Sequence, residues 1–399
     1  MNTKKHILII PSELYQTDMQ PLGGIFQRHE AELLSKNGFQ VGVLSVGIIT
    51  PRYLFHRNSS PLWESCGGIN IIRKYEKTII PNRIKNKRSA RDIFISNGLH
   101  CYSEYINKYG QPCMIHAHNL KYASLLAYEI KMKFGVPYFI TEHSSSFIRF
   151  KNEAEDLACY SQTINSAECF STVSQSLSNT INKIFNDKNF EIVKDTLILY
   201  NLLDEKLTHY ASKLKPKNKA KSSPFIFINV ASLDDNKNQQ IILKAFASEF
   251  KGKPYLLKII GSGINLNSLR DLSKKLGINK QVIFLGYLNR EPLFEELKQA
   301  NCFILSSNVE TFGVVLIEAA AIGLPLIATK SGGPEEIIKE SNGLLVDKNN
   351  AAAMAEAMLY IEKNYSKYDN SIISAETLSK YGGNEYLNKI CTIIKEASL

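Results

Sequence analysis

No stretch of this 399-residue sequence is apolar for long enough to span a membrane as a helix. Runs such as Ile7 to Ile10 and Phe225 to Val230 have strand length, against the roughly 18 to 20 residues a crossing needs. Cysteine is sparse: Cys66, Cys101, Cys113, Cys159, Cys169, Cys302 and Cys391 are odd in number and include no Cys-x-x-Cys pair. That argues against a disulfide framework and a zinc site, and the residues read as buried, reduced thiols. No Asp-x-Asp is present to hold a divalent cation. Low-complexity tracts are missing too, so disorder is not expected. The opening Met1-Asn-Thr-Lys-Lys-His carries no apolar segment with a small-residue cleavage site, and the expected location is cytoplasmic.

What is present is an excess of positive charge and a repeating α/β pattern. The formal charge of +10 points to an anionic partner, which nucleic acid, a phosphorylated small molecule or an anionic membrane surface would each satisfy. At this length two domains of roughly 150 to 200 residues are expected. In the first half, strands are predicted at His6–Ile10, Gln40–Val46, Cys113–His116, Pro137–Thr141, Glu168–Val173 and Thr196–Tyr200. Helices are predicted at Ile25–Asn37, Leu120–Phe134 and Ser174–Ile184. The Lys-rich segment 207–224 lacks hydrophobic periodicity and is read as the linker between domains 1–206 and 225–377. A second α/β series follows, with strands at Phe225–Ala231, Tyr255–Ile260, Val282–Leu285, Cys302–Ser306 and Pro325–Thr329 and a last helix near Glu385–Ala397. The pattern implies two doubly wound parallel sheets with ligands at the carboxyl ends of their strands.

The most informative stretch runs from Cys302 to Pro325. A buried strand feeds a loop with Glu310, Phe312 and Gly313, and the loop feeds an Ala-rich helix that starts at Val314, carries Glu318 and stops at Gly323 and Pro325. Gly313 permits close backbone approach, and the first-turn N–H groups with the helix dipole form an anion site. A diphosphate fits there without metal. In such a site Glu318 would accept from vicinal ribose hydroxyls and Glu310 from hexose hydroxyls. Taken singly, each glutamate reads as an ordinary loop or helix carboxylate. The apolar company of Glu318 nevertheless calls for a partner.

This stretch resembles the Glu-x7-Glu motif of retaining family-4 glycosyltransferases of the GT-B fold, here Glu310 to Glu318, and the similarity extends over nearly the whole chain. The resemblance implies two Rossmann-like domains facing a central cleft. The first would bind the acceptor, with the C-terminal helix (378–399) packing back on it, and the second would bind the nucleotide sugar. It assigns Glu310 to the donor sugar and Glu318 to the ribose. Asn229-Val-Ala-Ser232-Leu-Asp-Asp-Asn-Lys237-Asn238 is similar to the family's Gly-Arg-Leu-x3-Lys-Gly segment, whose Arg and Lys neutralise the donor diphosphate. Lys237 matches the Lys, but Ser232 stands at the Arg position, and Ala231 and Asn238 replace the glycines. Gly261-Ser-Gly263 follows a strand without the third glycine of a dinucleotide fingerprint and is either a tight turn or a nucleotide contact.

In the first half, Gly23 and Gly24 open the helix that carries Arg28, either as a plain hinge turn or as a phosphate or acceptor loop. Bacterial polysaccharide-assembly members of the family have a similar Gly-Ile-Phe-x-Arg stretch. His116, His118 and His143 lie at the mouths of neighbouring strands, where a lone histidine is usually a packing residue. Glu142 alone does not complete a metal ligand set beside them, and no divalent metal or other cofactor is expected. The resemblance takes His143 to the donor sugar and phosphate, with His118 a weaker match. The basic run Arg83 to Arg91 reads as a solvated face, or as a contact with anionic lipid at the inner face of the membrane or with a phosphorylated acceptor. No aromatic interleaving or zinc spacing supports nucleic acid.

The function implied is hexose transfer, with retention, from a UDP- or GDP-sugar to a hydroxyl of a glycan or lipid-linked acceptor in capsule, lipopolysaccharide or exopolysaccharide assembly. Two competing classes are a sugar-nucleotide epimerase on the same fold and a non-enzymatic basic binding protein.

Overall fold

The computed structural model describes residues 5–15, 24–49, 62–77, 89–144, 154–214 and 224–397. The chain divides into two compact units, Met1–Leu202 with Tyr386–Leu399, and Leu203–Glu385.

Among the described residues the first unit is built on eight strands: β1 (His6–Pro11), β2 (Gln40–Ile49), β3 (Leu62–Cys66), β4 (Ile69–Lys77), β5 (Met114–His118), β6 (Tyr138–Glu142), β7 (Cys169–Thr172) and β8 (Thr196–Ile198). Their order is β3-β4-β2-β1-β5-β6-β7-β8. All neighbours pair in parallel except β3 and β4. The central strands are continuous apolar runs, such as Ile7-Leu8-Ile9-Ile10, because helices cover both faces of a parallel sheet.

The elements for which the sequence pattern gives no range include two strands and a helix of the first unit. Strands β3 and β4 form an edge hairpin whose turn, Gly67-Gly68, has φ of 59° and 80°, the left-handed pair that a tight two-residue hairpin requires. The third is the helix Ala90–Tyr109, opened by a capping box in which Ser89 Oγ accepts from Asp92 N at 3.1 Å and Asp92 accepts from Ser89 N at 3.0 Å. The predicted helix Leu120–Phe134 is regular only from Leu125. Its first turn is broken at Tyr122 (φ 70°, ψ −61°), because Leu120 N donates to the Glu142 carboxylate at 2.7 Å and Ala123 N to Ser12 Oγ at 3.1 Å.

Among the described residues the second unit holds six parallel strands: β9 (Phe225–Val230), β10 (Tyr255–Ile260), β11 (Val282–Gly286), β12 (Cys302–Leu305), β13 (Leu326–Thr329) and β14 (Gly343–Val346). The order is β11-β10-β9-β12-β13-β14. It reverses direction between β9 and β12, and that reversal opens the crevice in which a doubly wound sheet binds ligands. The predicted linker begins as a helix, Glu205–Ser212, with Leu207 buried; residues 215–223 lie outside the described ones.

Residues 378–381 end the helix Asn370–Tyr381, and the last helix is Gly383–Glu396. Its Tyr386, Ile390, Ile393 and Ile394, spaced along one helical face, join the core formed by Ile7, Ile9, Val41, Val43 and Phe139. All seven cysteines are free. Cys101 and Cys302 are buried as expected, but Cys66 and Cys113 are exposed, because Cys66 lies on the edge strand β3 and Cys113 just before β5.

Candidate active site

The carboxyl ends of β9 and β12 each feed a loop, and side chains tie the two loops together. Asn236 binds Val309 twice, accepting from its N–H at 3.1 Å and donating to its carbonyl at 3.0 Å. Asn308 N donates to Asn236 O at 2.7 Å, and Ser306 Oγ donates to Lys237 O at 2.7 Å. The result places Lys237 Nζ 2.6 Å from Glu310 Oε2, with side-chain exposures of 21% and 14%. Glu310 is also fixed by its backbone: its N–H donates to Ser331 O at 2.9 Å and its carbonyl accepts from Gly333 N at 2.7 Å. A side chain on Gly333 would meet the Phe312 backbone at 2.3 Å, so the Ser331–Glu335 turn must be glycine-rich to let the clamp close. Phe312 itself is buried in that clamp.

Gly313 caps the helix Val314–Ala321 with φ 97°. Its left-handed backbone turns the chain so that Val314 and Val315 start the helix with N–H groups that have no carbonyl four residues back. One full turn on, Glu318 is buried beside Arg290, whose Nη1 is 2.6 Å from Oε1 and whose Nε is 2.9 Å from Asp204 Oδ2. Burial raises the Glu318 pKa above its ordinary value, and the Arg290 guanidinium opposes that rise.

Ser232, at the family's Arg position, is exposed and donates from Oγ to Asp234 Oδ2 at 2.6 Å. Asp234 Oδ1 in turn accepts from the N–H groups of Asn236 and Lys237 at 2.9 and 3.1 Å. Asn238 stands in a glycine's place with φ 48°, ψ 43°, a left-handed geometry that asparagine tolerates better than most residues. Gly261 and Gly263 are required by their neighbours: a Cβ would come to 1.9 Å from Ala231 O and 2.3 Å from Leu233 O. They hold the Ser232 loop against β10, where Leu233 N donates to Ser262 O at 3.0 Å.

In the first unit His116, His118 and His143 form a cluster. His116 and His118 project from the same side of β5, ring centroids 3.9 Å apart. The carboxylate that meets them is Glu30, from the helix Ile25–Lys36 that Gly24 caps at φ 59°. Glu142, the acid next to His143 in sequence, turns away and accepts from Leu120 and Ser144 N–H groups, both at 2.7 Å. Glu30 Oε1 lies 2.6 Å from His116 Nδ1, and Oε2 lies 3.1 Å from His118 Nε2 and 3.0 Å from Tyr386 Oη. Burial would raise the pKa of this carboxylate, but His116 and His118 together hold it well below the usual range. His118 Nδ1 is 2.9 Å from His143 Nε2, and His143 Nδ1 is 2.8 Å from Asn201 Oδ1. Phe26 stacks on His143 with rings 4° from parallel. Burial, then His118, depresses the His143 pKa to about 3.

Glu30, His116 and His118 have the composition of a metal ligand set. Their atoms are engaged with protein, however: His116 Nε2 is 2.7 Å from Thr141 Oγ1, and the Glu30–His116 contact is shorter than ligands around one ion would allow. Arg28 pairs along its own helix with Glu32 at 2.7 Å. Gly23 and residues 83–88 lie outside the described residues; Arg91 is 3.4 Å from Asp156. Among the described residues no helix is long and apolar enough to cross a membrane.

Residues 211–378 match the family model described as "Glycosyl transferases group 1". The chain carries a group 1 glycosyltransferase domain. This glycosyltransferase is 26% identical over 388 residues to an uncharacterized glycosyltransferase of Methanocaldococcus jannaschii, covering 88% of this chain and 91% of that one. To N-acetyl-alpha-D-glucosaminyl L-malate synthase of Bacillus anthracis it is 28% identical over 210 residues, 52% of this chain and 53% of the relative. Its fold matches sucrose-phosphate synthase from Thermosynechococcus elongatus with a TM-score of 0.72 at 18% identity, over 98% of this chain and 99% of that one. It matches Anabaena HepE, solved in complex with UDP, with a TM-score of 0.70 at 17% identity, over 99% and 100%. The glycosyltransferase therefore has the GT-B fold, with two parallel-sheet α/β domains.

The sequence reading names Lys237, Glu310, Gly313 and Glu318, and the structure places them at the β9–β12 switch point. It missed Arg290 and Asn236. The only available signal was that a buried Glu318 must have a cation nearby.

Proposed function

We propose that this glycosyltransferase moves a hexose-type sugar, with retention and without a divalent metal, from a UDP- or GDP-sugar to a hydroxyl of a glycan or lipid-linked acceptor in cell-surface polysaccharide assembly. The observation that carries the reading is the Lys237–Glu310 pair at 2.6 Å beside the helix start at Gly313, with Glu318 buried one turn further on. In transfer the anomeric carbon gains positive charge while the departing diphosphate gains negative charge. The N–H groups at Val314 and Val315 and the Lys237 ammonium would receive the diphosphate, releasing Glu310 to the hexose hydroxyls. Glu318, one oxygen on Arg290, would accept from the ribose. His143 would serve the donor sugar and phosphate. Retention follows either from a covalent glycosyl-enzyme or from attack on the leaving-group face, with a diphosphate oxygen taking the acceptor's proton.

The test is a panel of UDP- and GDP-sugars screened for thermal stabilisation and slow hydrolysis, repeated on Glu310→Ala. The UDP complex of the similarly folded HepE makes UDP-sugars the first to try. A donor that raises the melting temperature, turns over in the wild type and fails to turn over in the folded variant is the expected result. Unchanged turnover in Glu310→Ala would remove that residue from the mechanism, and a sugar of inverted ring configuration formed without acceptor would indicate epimerisation.

A further inference from the structure

The cluster around Glu30 holds more titratable groups than packing requires. Facing the carboxylate are His116 and His118 from β5 and Tyr386 from the last helix. Thr141 of β6, His143 just after that strand, Ser171 of β7 and Asn201 complete the surroundings, with Thr141 Oγ1 2.7 Å from Ser171 Oγ.

Proton positions can be traced inward from Asn201. It presents Oδ1 to His143 Nδ1 at 2.8 Å, so that nitrogen carries the hydrogen. Neutral His143 then has a bare Nε2, which accepts from His118 Nδ1–H at 2.9 Å. What remains is His118 Nε2, buried with no completed hydrogen bond among the described residues and 3.1 Å from Glu30 Oε2. An imidazole lone pair facing a carboxylate in a dry site is unfavourable, and a proton between them removes the conflict.

We propose that Glu30 and His118 share one buried proton as an ion pair, which makes Glu30 a positioning residue that fixes, through His118, the tautomer and orientation of His143. His116 and the Tyr386 hydroxyl both donate to Glu30 and favour its ionised form. Burial pushes the His118 imidazole the other way, down to about 4, with His116 adding to that push and Glu30 pulling it back. The hydrogen-bond pattern decides for the charged form, since Glu30 Oε1 already faces His116 and Oε2 already accepts from Tyr386, which leaves the shared proton on His118. The protonation half of this inference stands by itself. The positioning half rests on His143 serving the donor, as proposed above.

The experiment is long-range proton–nitrogen NMR on the full chain labelled at histidine. One ring, identified by its loss in His118→Asn, is expected to carry protons on both nitrogens at pH 7. A neutral His118 in the wild type at that pH overturns the shared proton, whether or not any variant folds. In Glu30→Gln the same ring should become neutral, and kcat should fall by at least about tenfold with donor KM within about twofold and a shifted pH profile. A Glu30→Gln protein that loses stability but keeps both kcat and pH profile has a packing residue at that position and defeats the positioning claim. If Glu310→Ala is inactive while His143→Ala is not, the role given to His143 fails and takes the positioning claim with it, leaving the shared proton intact.

Discussion

Replacing Arg290 with Met should expose how much the second unit depends on one guanidinium. The side chain bridges Glu318 at 2.6 Å and Asp204 at 2.9 Å, and Glu318 is 4% exposed. Removing one partner of a buried pair costs about 3–5 kcal/mol, because the other charge is left unpaired. Arg290 itself is 27% exposed, so water reaches the vacated space and the lower end, about 3 kcal/mol, is expected. For a domain of this size that is a fall in Tm of about 6–12 °C. The loss should depend on pH in a definite direction. Burial already raises the Glu318 pKa and Arg290 opposes it; without Arg290 the folded-state pKa rises further. A carboxyl whose folded pKa lies above its unfolded value carries no penalty below the unfolded pKa and the full penalty above the folded one. The gap between variant and wild type should therefore widen from pH 5 to pH 8. Denaturation at both pH values measures it, with Arg290→Met/Glu318→Gln as the partner variant that recovers stability by removing the buried charge. A gap that stays constant across this range, or a double variant no more stable than the single, refutes the reasoning.

Other expectations concern the loops. Gly261→Ala places a Cβ 1.9 Å from Ala231 O at φ 138°, and should cost about 2–4 kcal/mol by chemical denaturation; a cost under about 1 kcal/mol would mean the loop moves freely. Asn236→Ala removes both bonds to Val309 and is expected to raise donor KM more than it lowers kcat, because Lys237 and Glu310 lose their mutual register. Ser232→Arg supplies the cation the family has at that position and should tighten UDP binding roughly threefold to tenfold at low salt, less at high salt; titration calorimetry at two salt concentrations checks it.

The legible part of the fold was local. Parallel strands buried on both faces are short apolar runs, so β1, β9 and β12 can be read from composition, and the step from β12 through Gly313 into the Ala-rich helix follows from one strand, one glycine and one helical stretch. The edge hairpin was harder to read because β3 and β4 mix the partly exposed Trp63, Glu64 and Asn70 and a buried, paired Arg73 with aliphatic residues. Partners across the fold were harder still. Glu30 lies 86 residues from His116, Asn236 lies 73 from Val309, and Arg290 lies 28 from Glu318. Only the packing of helices onto strands decides that Glu30, not Glu142, meets the histidines.

The last helix bears on how the chain is made. Tyr386, Ile390, Ile393 and Ile394 belong to the core that holds β1 and β2, whereas residues 203–385 form a continuous unit. During synthesis the amino-terminal half must wait, incompletely buried, until the carboxyl-terminal segment leaves the ribosome, although its own strands were translated first. The later-made unit can be finished before the earlier one. Loss of the helix Gly383–Glu396 would then leave the amino-terminal half open, and the newborn chain exposed to chaperones and proteases.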